Sequence, residues 1–262
     1  MSYSPEWLAL RENADAEARA TDLLTPLRAA LAGQDRPVVR DLGCGTGSLA
    51  RWLAPHLPGP AHWVLHDVDA DLLAHAEADL RGRGFSVETR LGDLADLRAE
   101  HFAGTSLVAA SALLDILTEP EVNGLAAAIV GSGVPAYFCL SVSGKTPLDP
   151  AEPLDTAFQE AFNDHQRREH DGRRLLGPDA PEAATRAFER LGARVHTSPS
   201  PWRLGPDKPE LTGTWLRNWV AAAVEQEPAL AADAPAYLAR RAATPHTAEV
   251  GHVDLLALPG AA

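Results

Sequence analysis

The chain of 262 residues is short of several things. It has two cysteines, Cys44 and Cys139, too few for a disulfide framework. No apolar run approaches the ~18 residues a membrane-spanning helix needs, so no membrane partner is expected. Positive charge is scarce: 23 Lys and Arg stand against 36 Asp and Glu, for a net charge of −13. Lys145 and Lys208 are the only lysines. Such a surface repels a phosphate backbone, which disfavours tRNA, rRNA or DNA as a partner. Met1 to Leu10 lacks a basic region followed by an apolar run, so neither a signal nor a transit peptide is expected, and the cytoplasm is the expected compartment. No repeat of fixed period and no low-complexity linker divides the chain. One domain over residues 1–262 is therefore expected.

The chain does have a glycine turn. Asp41-Leu42-Gly43-Cys44-Gly45-Thr46-Gly47-Ser48 follows the apolar Val38-Val39 and precedes an amphipathic run to Leu57. That is strand, turn, helix. Alternating glycines allow positive φ angles and close approach of backbone to a ligand. A dinucleotide turn wants Gly-x-Gly-x-x-Gly, and here the third position is Ser48. The pattern is instead Asp-x-Gly-x-Gly-x-Gly. At these residues the chain resembles the class I S-adenosylmethionine-dependent methyltransferases.

The resemblance implies an α/β fold, a doubly wound, Rossmann-like sheet of seven strands, with S-adenosyl-L-methionine as cofactor. It covers residues 36–142 by motif. It implies cofactor contacts from Asp41, Gly43, Cys44 and Gly45 in the turn. The second strand, Ala61 to His66, ends at Asp67, 20 residues beyond Gly47 and close to where a ribose-binding acid is expected. Asp67 suits the ribose and Asp69 suits a helix cap; Val68 lies between them. The third strand, Phe85 to Leu91, ends at Gly92-Asp93-Leu94, where the family places an acid on the adenine amino group and a side chain on the ring. Ser111, at the end of the fourth strand (Leu107 to Ser111), is a candidate for the methionine part. Arg19 suits its carboxylate, because such enzymes often bring an N-terminal helix onto the cofactor.

The acceptor side is less explicit. Residues 1–33 read as two helices, where Tyr3, Arg11 and Arg19 are polar candidates to turn inward. Residues 143–180, beyond the fifth strand, read as a lid with a loop to Pro153 and a helix from Leu154 to Glu169. His165 continues that helix's apolar stripe; Gln166 and His170 follow. A solvated helix end competes with this reading. His165, His170 and Asp115 are the candidate general bases, and Tyr3, Arg11, Gln166 and Trp202 the candidate acceptor-binding residues. Residues 181–262 supply the last two strands, Arg194 to Thr197 and Val250 to Leu258, around a helical insertion at 206–245. His252 and Asp254 share one face of the last strand and are candidates to pair.

No carboxylate pair plus Asn matches the magnesium site of catechol-type members, so no metal is expected. The Asn-Pro-Pro-aromatic signature of many DNA-base and protein-glutamine methyltransferases is absent. The expectation is methyl transfer to an N or O nucleophile of a small molecule. A protein- or RNA-directed methyltransferase, or a non-catalytic cofactor-binding protein, are the alternatives.

Overall fold

Seven strands in the order β3-β2-β1-β4-β5-β12-β9 form the central sheet of the computed structural model, which describes residues 4–260. β1 (Val38–Leu42), β2 (His62–Asp67), β3 (Ser86–Leu91), β4 (Leu107–Ser111) and β5 (Ala136–Val142) pair in parallel. β12 (His252–Leu258) runs antiparallel between β5 and β9 (Arg194–Pro199). The parallel strands place their carboxyl ends on one edge, where ligands of such sheets collect. The order reverses between β1 and β4, which opens a crevice there.

Helices cover both faces. β4 is a nearly continuous apolar run because both of its faces are buried. One face packs against α2 (Leu24–Ala30), α3 (Ser48–Leu53) and α4 (Ala70–Gly82), with Leu27, Leu49, Leu53 and Ala76 in the contact. The other packs against α5 (Glu119–Ser132) and α7 (Ala180–Arg190), through Ala126, Ile129, Ala184 and Phe188. Local chemistry sets the ends. Asp69 caps α4 by accepting from the N–H of Asp71 and Leu72, and Thr118 with Glu121 forms a reciprocal cap on α5.

A third core lies over the carboxyl edge. It is made by α6 (Asp155–Gln166), α8 (Pro209–Gln226) and α9 (Ala234–Ala243), and α1 (Pro5–Ala18) joins it through Ala14. Beneath them lies a small antiparallel sheet in the order β10-β11-β6, from β10 (Trp202–Leu204), β11 (Thr247–Val250) and β6 (Leu148–Asp149).

This small sheet corrects the sequence reading, which has loop at 143–153, a strand that stops at Thr197 and one strand from Val250 to Leu258. Pieces of two to four residues carry no periodic signal, and their partners are distant in sequence. Gly251 separates β11 from β12. A Cβ there would lie 2.4 Å from Ser143 Oγ. The helix expected to reach Glu169 stops at Gln166, and β7 (Glu169–His170) pairs with β8 (Arg173–Arg174) as a hairpin. Its turn holds Asp171 and Gly172, both at positive φ.

Candidate functional site

The glycine turn runs from β1 into α3. Gly43, Gly45 and Gly47 all have positive φ, at 64°, 53° and 82°. At Gly47 a Cβ would lie 3.0 Å from Leu80 Cδ1, so the turn also needs glycine for packing. Asp67 organises the turn from the next strand. Its Oδ2 accepts from Gly45 N at 2.9 Å and its Oδ1 from Asp69 N at 3.0 Å. Each oxygen keeps a lone pair for another donor, as two ribose hydroxyls require.

These residues open onto a cavity of about 830 Å³ beyond the strand ends. Asp41, Gly43, Cys44, Gly45, Asp67, Val68, Asp93, Leu94 and Ser111 all line it. Val68 is an exposed apolar side chain at its edge, and Asp93 holds the start of the following turn by accepting from Ala95 N.

Asp41 is buried, yet neither carboxylate oxygen has a hydrogen-bond partner among the described residues. Burial pushes its carboxyl up to about 8; nearby Arg19 opposes that rise and Asp67 adds to it. Arg19 is also buried and is not among the cavity-lining residues. It stands one layer behind, with Nη2 donating to Ser111 Oγ at 3.2 Å and its guanidinium 5.3 Å from the Trp52 ring. Arg19, expected at the cofactor carboxylate, therefore does not itself line the cavity; it backs Ser111, which does. Its Nε and Nη1 are buried without partners. An orphaned carboxylate beside a half-satisfied guanidinium is costly unless a ligand carrying both signs of charge completes it. An amino-acid end, with ammonium and carboxylate, has that character.

The cavity continues under α1, α6 and α8. Trp7, Arg11 and Asp15 of α1, Phe162 and Gln166 of α6, and Trp215 and Trp219 of α8 line it, with Asp115, Trp202 and His252. Arg11 and Asp15 form an ion pair at 3.0 Å, and Asp15 Oδ1 accepts the Trp202 indole N–H at 2.9 Å. The Arg11 guanidinium lies 4.9 Å from the centre of the Trp202 ring. α1 is held from the other side by Arg51, which donates to both carboxylate oxygens of Glu12 at 2.6 Å. His252 packs on Trp202, and burial together with Arg11 lowers its pKa to about 3, leaving a neutral imidazole. Burial raises the Asp115 carboxyl. Asp115 Oδ1, Gln166 Oε1, Trp219 Nε1 and His252 Nδ1 are buried without partners.

One acceptor-side expectation falls elsewhere. His165 is not among the lining residues; its Nε2 lies 3.1 Å from Glu225, and α6 turns Phe162 and Gln166 inward instead. Tyr3 lies outside the described residues, as does the side chain of His170. His252 and Asp254 do not pair. Fully buried Asp254 accepts from Ala20 N at 2.8 Å, Leu140 N at 2.7 Å and Ser200 Oγ at 2.5 Å, joining the end of α1 to the sheet. Sequence reasoning missed Trp7, Asp15, Phe162, Trp215, Trp219 and Arg173 as cavity residues. For the tryptophans the signal was the apolar stripe itself, which does not reveal whether it faces a core or a cavity. Among the described residues, no cluster of His, Cys, Asp and Glu has the arrangement of a metal site.

Residues 39–131 match the family model described as a methyltransferase domain. Over 65 residues the chain is 45% identical to the biotin biosynthesis bifunctional protein BioCD of Bordetella avium, a stretch that is 25% of this chain and 14% of that protein. The chain thus matches a small share of that curated relative's length. The YcgJ protein of Bacillus subtilis has a similar fold, with a TM-score of 0.54 and 10% identity over 93% of this chain and 100% of that one. A candidate methyltransferase from Bacillus halodurans gives 0.52 and 15% over 91% and 99%. At such identities the structures speak for the fold. Sheet order, glycine turn and the domain match together define a class I methyltransferase domain. Residues 39–131 thus carry a methyltransferase domain, set in a seven-stranded Rossmann-like methyltransferase sheet.

Proposed function

We propose that the chain transfers a methyl group from S-adenosyl-L-methionine to an N or O nucleophile of a small molecule. One observation carries the reading: a single cavity runs from Asp41, Asp67 and Asp93 at successive strand tips into an aromatic compartment closed over by α1 and α6. Asp67 takes the ribose hydroxyls, and Asp93 with Leu94 and Val68 takes the adenine. Asp41, Ser111 and, behind it, Arg19 take the amino-acid end, against the backbone of Gly43, Cys44 and Gly45. When bound, the cofactor supplies an electrophilic methyl on a sulfonium. The protein's part is then to align the acceptor and exclude water. Arg11, Gln166 and Trp202 line the acceptor end and orient the molecule there, and Asp115 is the group placed to take its proton.

The covered cavity and the surplus of acidic residues favour a small molecule over a nucleic acid. The two free, buried cysteines fit a reducing compartment, so we place the enzyme in the cytoplasm. Calorimetry tests the cofactor half: S-adenosylhomocysteine binds in the micromolar range and NAD does not. Folded protein that ignores S-adenosylhomocysteine would refute the reading.

A further inference from the structure

The acceptor compartment has a definite chemical character. Trp7, Trp202, Trp215, Trp219 and Phe162 line it. Trp215 and Trp219 stack with ring centres 5.7 Å apart, and Phe162 leans on Trp219 at 6.4 Å, so the wall is a continuous aromatic surface. Such faces attract cations as well as apolar bodies. Six aspartates and two arginines line the cavity as a whole. Both arginines are matched already: Arg11 by Asp15, and Arg173 by Glu121 through two hydrogen bonds. On the acceptor side Asp115 is the acidic group with an unpaired oxygen, and the neutral His252 Nδ1 and Trp219 Nε1 are unpaired in the same cavity. Asp115 lines the cavity with its Oδ1 buried and without a hydrogen-bond partner. Gln166 Oε1 is a second acceptor atom in the same state.

We propose that the acceptor is an amine on an aromatic or otherwise apolar body, read by the Asp115 carboxylate and the indole wall, and that phosphate esters and carboxylates are rejected. An anionic substrate would bring a further acceptor atom to Asp115 Oδ1 and leave it unpaired beside a second negative charge, which is the stronger form of discrimination. This rests on the methyl-transfer reading above. The ammonium form enters and gives its proton to the Asp115 carboxylate. The freed nitrogen lone pair forms the new N–C bond, and the C–S bond breaks with its electron pair going to sulfur. The proton on Asp115 then leaves to solvent with product release.

The test uses the whole chain saturated with S-adenosylhomocysteine, whose own binding is measured first by calorimetry. 2-Phenylethylamine, 2-phenylethanol and 3-phenylpropionate are then titrated, read by calorimetry and by tryptophan fluorescence. The amine should bind about tenfold or more tightly than the alcohol, and the carboxylate not at all. Asp115→Asn should erase the preference for amine over alcohol while still binding S-adenosylhomocysteine, which also shows that it is folded. Trp219→Leu should weaken amine and alcohol alike. Equal affinities for amine and alcohol, tighter binding of the carboxylate, no binding by any of the three, or an unchanged preference in Asp115→Asn would each overturn the amine assignment. Failure of S-adenosylhomocysteine itself to bind would instead overturn the methyl-transfer reading.

Discussion

Asp15 and Trp202, 187 residues apart in sequence, share a buried hydrogen bond of 2.9 Å from the indole N–H to Oδ1. The bond ties α1 to the small sheet, and the same carboxylate neutralises Arg11. Helix, sheet and cation thus become one wall of the cavity. Removing the carboxylate leaves a mostly buried arginine and an indole N–H without partners.

Asp15→Ala should therefore destabilise the protein by about 3–5 kcal/mol, in the range of broken buried pairs. Trp202→Phe keeps a ring but loses the donor, and should cost less, about 1–3 kcal/mol. Urea unfolding of the two variants checks the order. Equal and negligible losses would show that α1 docks by apolar contact alone.

Asp67→Asn should weaken S-adenosylhomocysteine by about 1.5–3 kcal/mol, since one of its oxygens becomes a donor facing hydroxyls. Because Asp67 also accepts from Gly45 N and Asp69 N, Asp67→Ala should additionally loosen the turn. Calorimetry with a parallel thermal melt separates the two effects.

Gly47→Ala tests the turn without touching an ionisable group. The positive φ and the 3.0 Å approach to Leu80 both oppose a Cβ. The left-handed conformation alone costs about 1–2 kcal/mol. Denaturant midpoints measure the loss; an unchanged midpoint would mean that the turn relaxes freely.

The pH dependence of stability carries a sign that Asp41 sets. Its folded carboxyl sits at about 8, against 3.8 as the ordinary value. Between these values the native state holds a proton that the unfolded chain has lost, so stability falls as pH rises through that window. His66 and His252 act oppositely. Burial, with nearby arginines, lowers them to about 4 and about 3 from 6.5, so their contribution is lost as pH falls below 6.5. In cofactor-free protein, Asp41→Asn should melt at higher temperature than the parent at pH 8, with the gap closing toward pH 5. A gap that does not change with pH would contradict the assignment.

His165→Ala should leave turnover within about twofold, because the ring pairs with Glu225 away from the cavity. A large loss of kcat with intact cofactor binding would return it to the chemistry.

Much of this was legible in the residues. A turn that needs positive φ announces itself by glycine spacing, and strand ends announce themselves where an apolar run meets Asp67 and an alternating one meets Gly92-Asp93. These are local signals, and local sterics enforce them. Cap residues such as Asp69 and Thr118 are equally local, because their partners lie two or three residues away.

The acceptor end was not legible, for the same reason. Trp215 and Trp219 look identical in sequence whether they face a core or a cavity. Which it is depends on how closely α6 and α1 approach, and that is settled by non-local contacts such as Asp15 with Trp202 and Asp254 with Ala20. His165 follows the helical stripe by spacing, yet α6 turns Phe162 and Gln166 to the cavity and leaves His165 beside Glu225. By itself the sequence determined the glycine turn and the acids at the strand tips, whose geometry is written in backbone conformation. Only the tertiary structure decided the aromatic compartment, whose geometry is a matter of which helix faces meet.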